Sequence, residues 1–106
     1  METITPEGWF ILKLPQEEDK YVYKVFSSWR EGDQWRLSSG ASSLDNLQID
    51  GTHITFPQSS GSLYRLPLDG EGGASYYTME VLERILEQEG LVLSDVKVDS
   101  SIILKS

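Results

Sequence analysis

"SYYTMEVLERILEQEG" (residues 75–90) is the stretch of this 106-residue chain in which apolar residues change from a strand-like to a helical period. Thr78, Val81, Leu82, Ile85 and Leu86 follow i, i+3, i+4, i+7, i+8 spacing, which gathers them on one side of an α-helix. Ser75 or Thr78 can cap the first turn, and Gly90 suits the left-handed position just past the last one. The opposite side carries Glu80, Glu83 and Glu87, with Arg84 placed to pair with Glu80.

The residues before this helix read as short strands. "GWFILKLP" (8–15) is a strand ended by Pro15, "QEEDK" (16–20) a charged connector, and "YVYKVFSSW" (21–29) a second strand. "REGDQ" (30–34) is a turn and "WRLSS" (35–39) a third strand. A three-residue loop at 31–33 sets Trp29 opposite Trp35, whereas a two-residue loop at Glu31-Gly32 does not. In "NLQIDGTHITF" (46–56), Asp50-Gly51 predicts a type I′ hairpin turn. That register puts Ile49 opposite Thr52, Gln48 opposite His53 and Leu47 opposite Ile54. Leu47, Ile49, Ile54 and Phe56 then share one face, and His53 lies on the other, polar face. Pro57 stops the ladder, "QSSG" (58–61) turns the chain, and "SLYRLPL" (62–68) is the next strand.

"DGEGGA" (69–74) reads as a flexible linker into the helix. After the helix, "LVLSDVKV" (91–98) returns to alternation and "SSIILKS" (100–106) to a last short strand. The fold class predicted is α+β. One strongly twisted antiparallel meander, or small barrel-like sheet, of six to seven short strands is packed by one amphipathic helix at about 75–90. Residues 1–106 form a single domain. "SSG" occurs twice, at 38–40 and at 59–61, which suggests repeated turn chemistry. The segments around these turns, "WRLSSG" (35–40) and "SGSLYRL" (60–66), resemble parts of short bacterial and phage proteins, a likeness that implies no activity.

Composition narrows the chemistry. The net charge is −8, the wrong sign for direct binding to nucleic acid or to an anionic membrane surface. There is no cysteine, so disulfides, thiolate metal sites and a cysteine nucleophile are excluded, and a cytoplasmic location is expected. The start of the chain, "METITPEGWFILKLP", lacks the basic and apolar regions of a signal peptide.

His53 with Ser59, Ser60 and Ser62 does not meet the nucleophile-elbow pattern, because the second glycine is missing and Arg65 continues a strand. The glycines of "DGEGGAS" (69–75) lack the lysine of a phosphate-binding loop, and Asp69 and Glu71 repel phosphate. One histidine rules out the usual zinc sets, and the acidic loops match no EF-hand. No catalytic residue, metal or cofactor is predicted, and the chain is read as a non-enzyme.

The uneven charge is the surface feature that remains. Residues 69–99 hold Asp69, Glu71, Glu80, Glu83, Glu87, Glu89, Asp95 and Asp99 against Arg84 and Lys97, a net of −6. Folding does not require this, since like charges at i,i+4 such as Glu83 and Glu87 repel. The expectation is a regulatory protein, acting as a monomer or homodimer. Glu80, Glu83, Glu87, Asp69 and Glu71 would dock a basic protein, for example a nucleic-acid-binding one, in the manner of an inhibitor, antidote or nucleic-acid mimic. The alternative expectation is a small-molecule pocket between sheet and helix, lined by Trp35, Tyr64, Tyr76 and Tyr77.

Overall fold

Five consecutive residues of the second strand, Gly8 to Leu12, are buried. Side chains alternate across a strand, so a run of this kind needs an apolar layer on each side. The computed structural model, which describes residues 2–99, supplies both. The chain runs β1 (Thr3–Ile4), β2 (Gly8–Pro15), β3 (Tyr21–Trp29), β4 (Gln34–Leu37), β5 (Gln48–Ile49), β6 (His53–Pro57), β7 (Leu63–Pro67), α1 (Tyr76–Gln88), α2 (Leu93–Val96) and β8 (Lys97–Val98). The strands form two four-stranded sheets, ordered β1-β7-β6-β5 and β4-β3-β2-β8. Trp9, Ile11 and Val25 face the first sheet and pack on Ile4, Ile54, Phe56, Tyr64 and Leu66. Phe10, Leu12 and Phe26, on the reverse face, pack on Leu82 and Leu86 of α1 and on Val96. The layers are therefore sheet, sheet and helix.

The α+β class stands, with two corrections to the single meander. The strands divide into two sheets, and neither closes into a barrel. The physical reason is β2, whose two apolar faces cannot both be satisfied by one sheet and one helix. The second correction concerns 91–98. Leu93–Val96 is a helical turn, and only Lys97–Val98 pairs, antiparallel to β2 at Leu12 and Ile11. The turn brings Leu91, Leu93 and Val96 onto the helix-side core. The strand predicted at 100–106 lies outside the described residues.

The helix begins and ends on the chemistry its sequence offers. Ser75 Oγ accepts from the Thr78 N–H at 3.2 Å, and Thr78 Oγ1 accepts from the Ser75 N–H at 2.9 Å, a reciprocal cap. At the far end Gly90 has φ +72, its N–H donates to Glu87 O, and the Leu91 N–H donates to Leu86 O. This Schellman ending folds Leu91 back against the last turn. Thr78, Leu82 and Leu86 are buried, and Val81 and Ile85 half-buried, as the period predicts. The glycines before the helix are pinned. Gly72 donates to Trp9 O at 2.8 Å, Glu71 bridges to Trp9, and a Cβ at Gly8 would run into the Gly73 carbonyl.

One turn takes the register of one of the two alternatives, and another departs from expectation. Trp29 pairs with Gln34 and Ser28 with Trp35, the register of the two-residue loop and not that of the three-residue one, with a 3₁₀ turn at Glu31–Asp33 closing the connection. Trp35 instead stacks on Phe26, with centroids 5.8 Å apart and planes 16° apart. In the β5–β6 hairpin Ile49 pairs with Ile54 and Gln48 with Thr55, a slip of two residues that leaves the faces unchanged. Asp50 causes the slip. Its Oδ1 accepts from the Thr52 N–H and the His53 N–H, both at 2.8 Å, and builds a longer turn in place of type I′.

Those hydrogen bonds, first from Thr52 and then from His53, hold the Asp50 carboxyl down at about 2. The folded value lies below the roughly 3.9 of an unfolded aspartate, so the carboxylate favours the fold above that pH. This contribution fades as the pH falls towards 2. An NMR titration should find Asp50 protonating near 2. A midpoint of about 4 for Asp50 would show that the turn is not formed as described.

Candidate interaction surface

Helix α1 sets its polar side outward because its apolar side is taken by Phe10, Leu12 and Phe26. Glu80, Glu83 and Glu87 are all exposed along that side. Glu80 is paired with Arg84 at 2.6 Å, as the i,i+4 spacing predicts. No ion pair reaches Glu83 or Glu87 among the described residues. These two stand at the rim of a cleft of about 240 Å³ lined also by Leu86, Leu91, Val92 and Leu93. Val92 is 56% exposed, a large apolar residue left facing water. An apolar floor with an anionic rim is thus built from the end of α1 and the segment that the Gly90 turn folds back.

Of the other acidic residues, Asp69 lies in a separate recess with Glu7, Gly8, Ser28, Arg30, Gly73 and Ala74. Glu71 is held at the backbone bridge to Trp9. The structure therefore brings Glu83 and Glu87 to one cleft, leaves Glu80 on the same helix face beside Arg84, and puts Asp69 and Glu71 on the loop ahead of the helix.

The aromatic quartet is divided. Tyr64 is 1% exposed and sits in the core between the sheets, where burial raises its phenol above the ordinary value despite the nearby Arg36 guanidinium. Tyr76 is 99% exposed on the first turn of α1. Trp35 and Tyr77 do come together, in an open depression completed by Gly32, Asp33 and Gln34. Tyr64 is absent from that lining because strand alternation turns it into the inter-sheet layer.

His53 and the serines are held apart. His53 pairs with Pro67 at one end of the β6–β7 hairpin, while the turn at 58–62 closes the other, roughly 13 Å along the strand. His53 Nδ1 contacts Thr52 Oγ1 at 2.8 Å and an Arg65 nitrogen at 3.4 Å. The two "SSG" turns meet instead. Ser60 N–H donates to Ser39 Oγ at 3.0 Å and Ser59 N–H to Gly40 O at 2.8 Å. Gln58 Oε1 accepts from the Ser38 hydroxyl and from the Gly40 N–H at 2.9 Å, both buried bonds. Ser38 Oγ in turn accepts from the Val25 N–H at 2.7 Å. This polar clamp fastens one sheet to the other.

Sequence reasoning missed Leu91, Val92 and Leu93, because 91–98 was read as a strand. The signal was present in Gly90-Leu91, since a glycine at the end of a helix followed by an apolar residue predicts a chain that folds back. It also missed Asp33 and Gln34, which carried no motif. No group of three histidine, cysteine or acidic side chains could hold a metal among the described residues. No helix among them is long and apolar enough to cross a membrane. Comparison of the chain with family models, curated proteins and solved structures finds no match.

Proposed function

We propose that this chain is a small non-enzymatic interaction domain that binds a basic protein through the outer face of α1. It acts in the manner of an inhibitor, antidote or nucleic-acid mimic. The observation that carries the reading is the cleft that Glu83 and Glu87, without ion-pair partners among the described residues, line together with Leu86, Leu91, Val92 and Leu93. A carboxylate rim favours lysine and arginine, steers their approach and repels anionic competitors. The apolar floor takes an aliphatic or aromatic side chain between those cations, the usual anatomy of a binding hot spot. At about 240 Å³ the cleft is smaller than the roughly 300–1,000 Å³ of most small-molecule sites, so a side chain fits it better than a metabolite. The cysteine-free composition suits a reducing compartment such as the cytoplasm.

The test is the triple charge reversal Glu80→Lys, Glu83→Lys, Glu87→Lys. All three positions are exposed, so the melting temperature should change little. Capture of basic proteins on the immobilised chain should be strong at low salt and fall as salt rises. In the variant it should drop by on the order of tenfold or more. Capture that survives the reversal at low salt would remove the helix face from the binding surface.

A further inference from the structure

We propose that the depression at the edge of β4 is an arginine-binding site, in which a guanidinium group of the basic partner stacks on Trp35 and pairs with Asp33. This rests on the basic-partner reading above and names a second contact, away from the helix glutamates. Trp35 lies on the outermost strand of its sheet. One face of its indole is stacked nearly parallel on Phe26, which is itself 0% exposed. The core therefore fixes the ring, and the free face looks outward, leaving Trp35 41% exposed. Such a ring is a pre-oriented platform that needs no ordering when a ligand arrives.

Three further observations decide the ligand. Asp33 and Gln34 line the same depression, giving a carboxylate and an amide at the platform's edge, and Tyr77 adds a second ring from α1. Among the described residues no lysine or arginine lines it, and Arg30, close by in the chain, lines the recess of Asp69 instead. The net charge of −8 makes a cation the favoured visitor. Elsewhere the chain makes this contact within itself, with Lys13 Nζ 4.3 Å from the centroid of Tyr21. Arginine suits the site better than lysine. A planar guanidinium lies flat on an indole while its N–H groups donate in the ring plane to a carboxylate, whereas an ammonium is a point charge with no face to stack.

The experiment uses the full chain, labelled with ¹⁵N and titrated with acetyl-Gly-Arg-Gly-amide. The citrulline peptide of the same sequence serves as the neutral counterpart of nearly equal shape. With the arginine peptide the Trp35 indole N–H and the Gly32 and Gln34 amides should shift, while the Trp9 and Trp29 indoles stay in place. The citrulline peptide should give no comparable shift. Asp33→Asn should weaken the arginine peptide about three- to tenfold. The E80K/E83K/E87K chain, its net charge cut by six, should bind this peptide somewhat more weakly at low salt but still shift the Trp35 indole N–H and still respond to Asp33→Asn at about 0.15 M salt, so the outcome stands or falls separately from that of the helix face. A silent Trp35 indole, equal shifts with citrulline, or undiminished binding to Asp33→Asn would each overturn the assignment.

Discussion

Trp9→Ala is expected to remove about 3–5 kcal/mol of unfolding free energy, a large share of the roughly 5–15 kcal/mol available to a domain of this size. Trp9 is 0% exposed and belongs to the core between the sheets. Its indole N–H donates to Pro67 O at 2.7 Å, which ties β2 to the end of β7. Its backbone carbonyl accepts from Gly72 and holds down the loop before α1. Truncation opens a cavity too large to collapse and leaves the Pro67 carbonyl unpaired. Trp9→Phe keeps much of the ring and should lose less, about 1–3 kcal/mol. Urea unfolding followed by circular dichroism measures both. If Trp9→Ala unfolds at the same urea concentration as the wild type, the inter-sheet core is not organised around this indole.

Gln58→Leu is expected to cost about 2–4 kcal/mol, although the side chain keeps its size. Gln58 is 5% exposed and its Oε1 accepts from both the Ser38 hydroxyl and the Gly40 N–H. Leucine offers no acceptor, so two buried donors lose their partner where water does not replace it. Ser38→Ala removes the acceptor for the Val25 N–H and should lose about 1–3 kcal/mol. Since the two side chains share a bond, the double variant should be less destabilised than the sum, with a coupling of about 0.5–3 kcal/mol. A double-variant cycle by urea unfolding reads that coupling directly. Strict additivity would mean that the two turns are held together by something other than this clamp.

Much of the local structure was legible. The strands at Gly8–Pro15 and Tyr21–Trp29 have the bounds that their composition and the prolines suggested. The helix fills 76–88 of the expected 75–90, because both its caps are local in sequence. What was hidden depends on residues distant in the chain. Thr3 pairs parallel with Leu63, and no pattern near either residue announces it. The division into two sheets was announced only by the unbroken apolar run from Trp9 to Leu12, which reads as one strand whether one or both faces are covered. The Asp50-Gly51 signal named the right hairpin and the wrong turn, because an aspartate side chain can close a longer loop as well as a tight one. The helix glutamates were placed by period alone. The cleft beside them, and the meeting of Trp35 with Tyr77, required the tertiary fold.

The position of β2 carries a last consequence. Trp9 and Ile11 belong to one oily compartment and Phe10 and Leu12 to the other, so neither compartment can be dismantled while the other stays whole. Heat or denaturant then meets one cooperative unit, and helix and sheets should melt in the same transition. A binding event that tightens the helix against its sheet would, by the same linkage, steady the far side of the molecule as well.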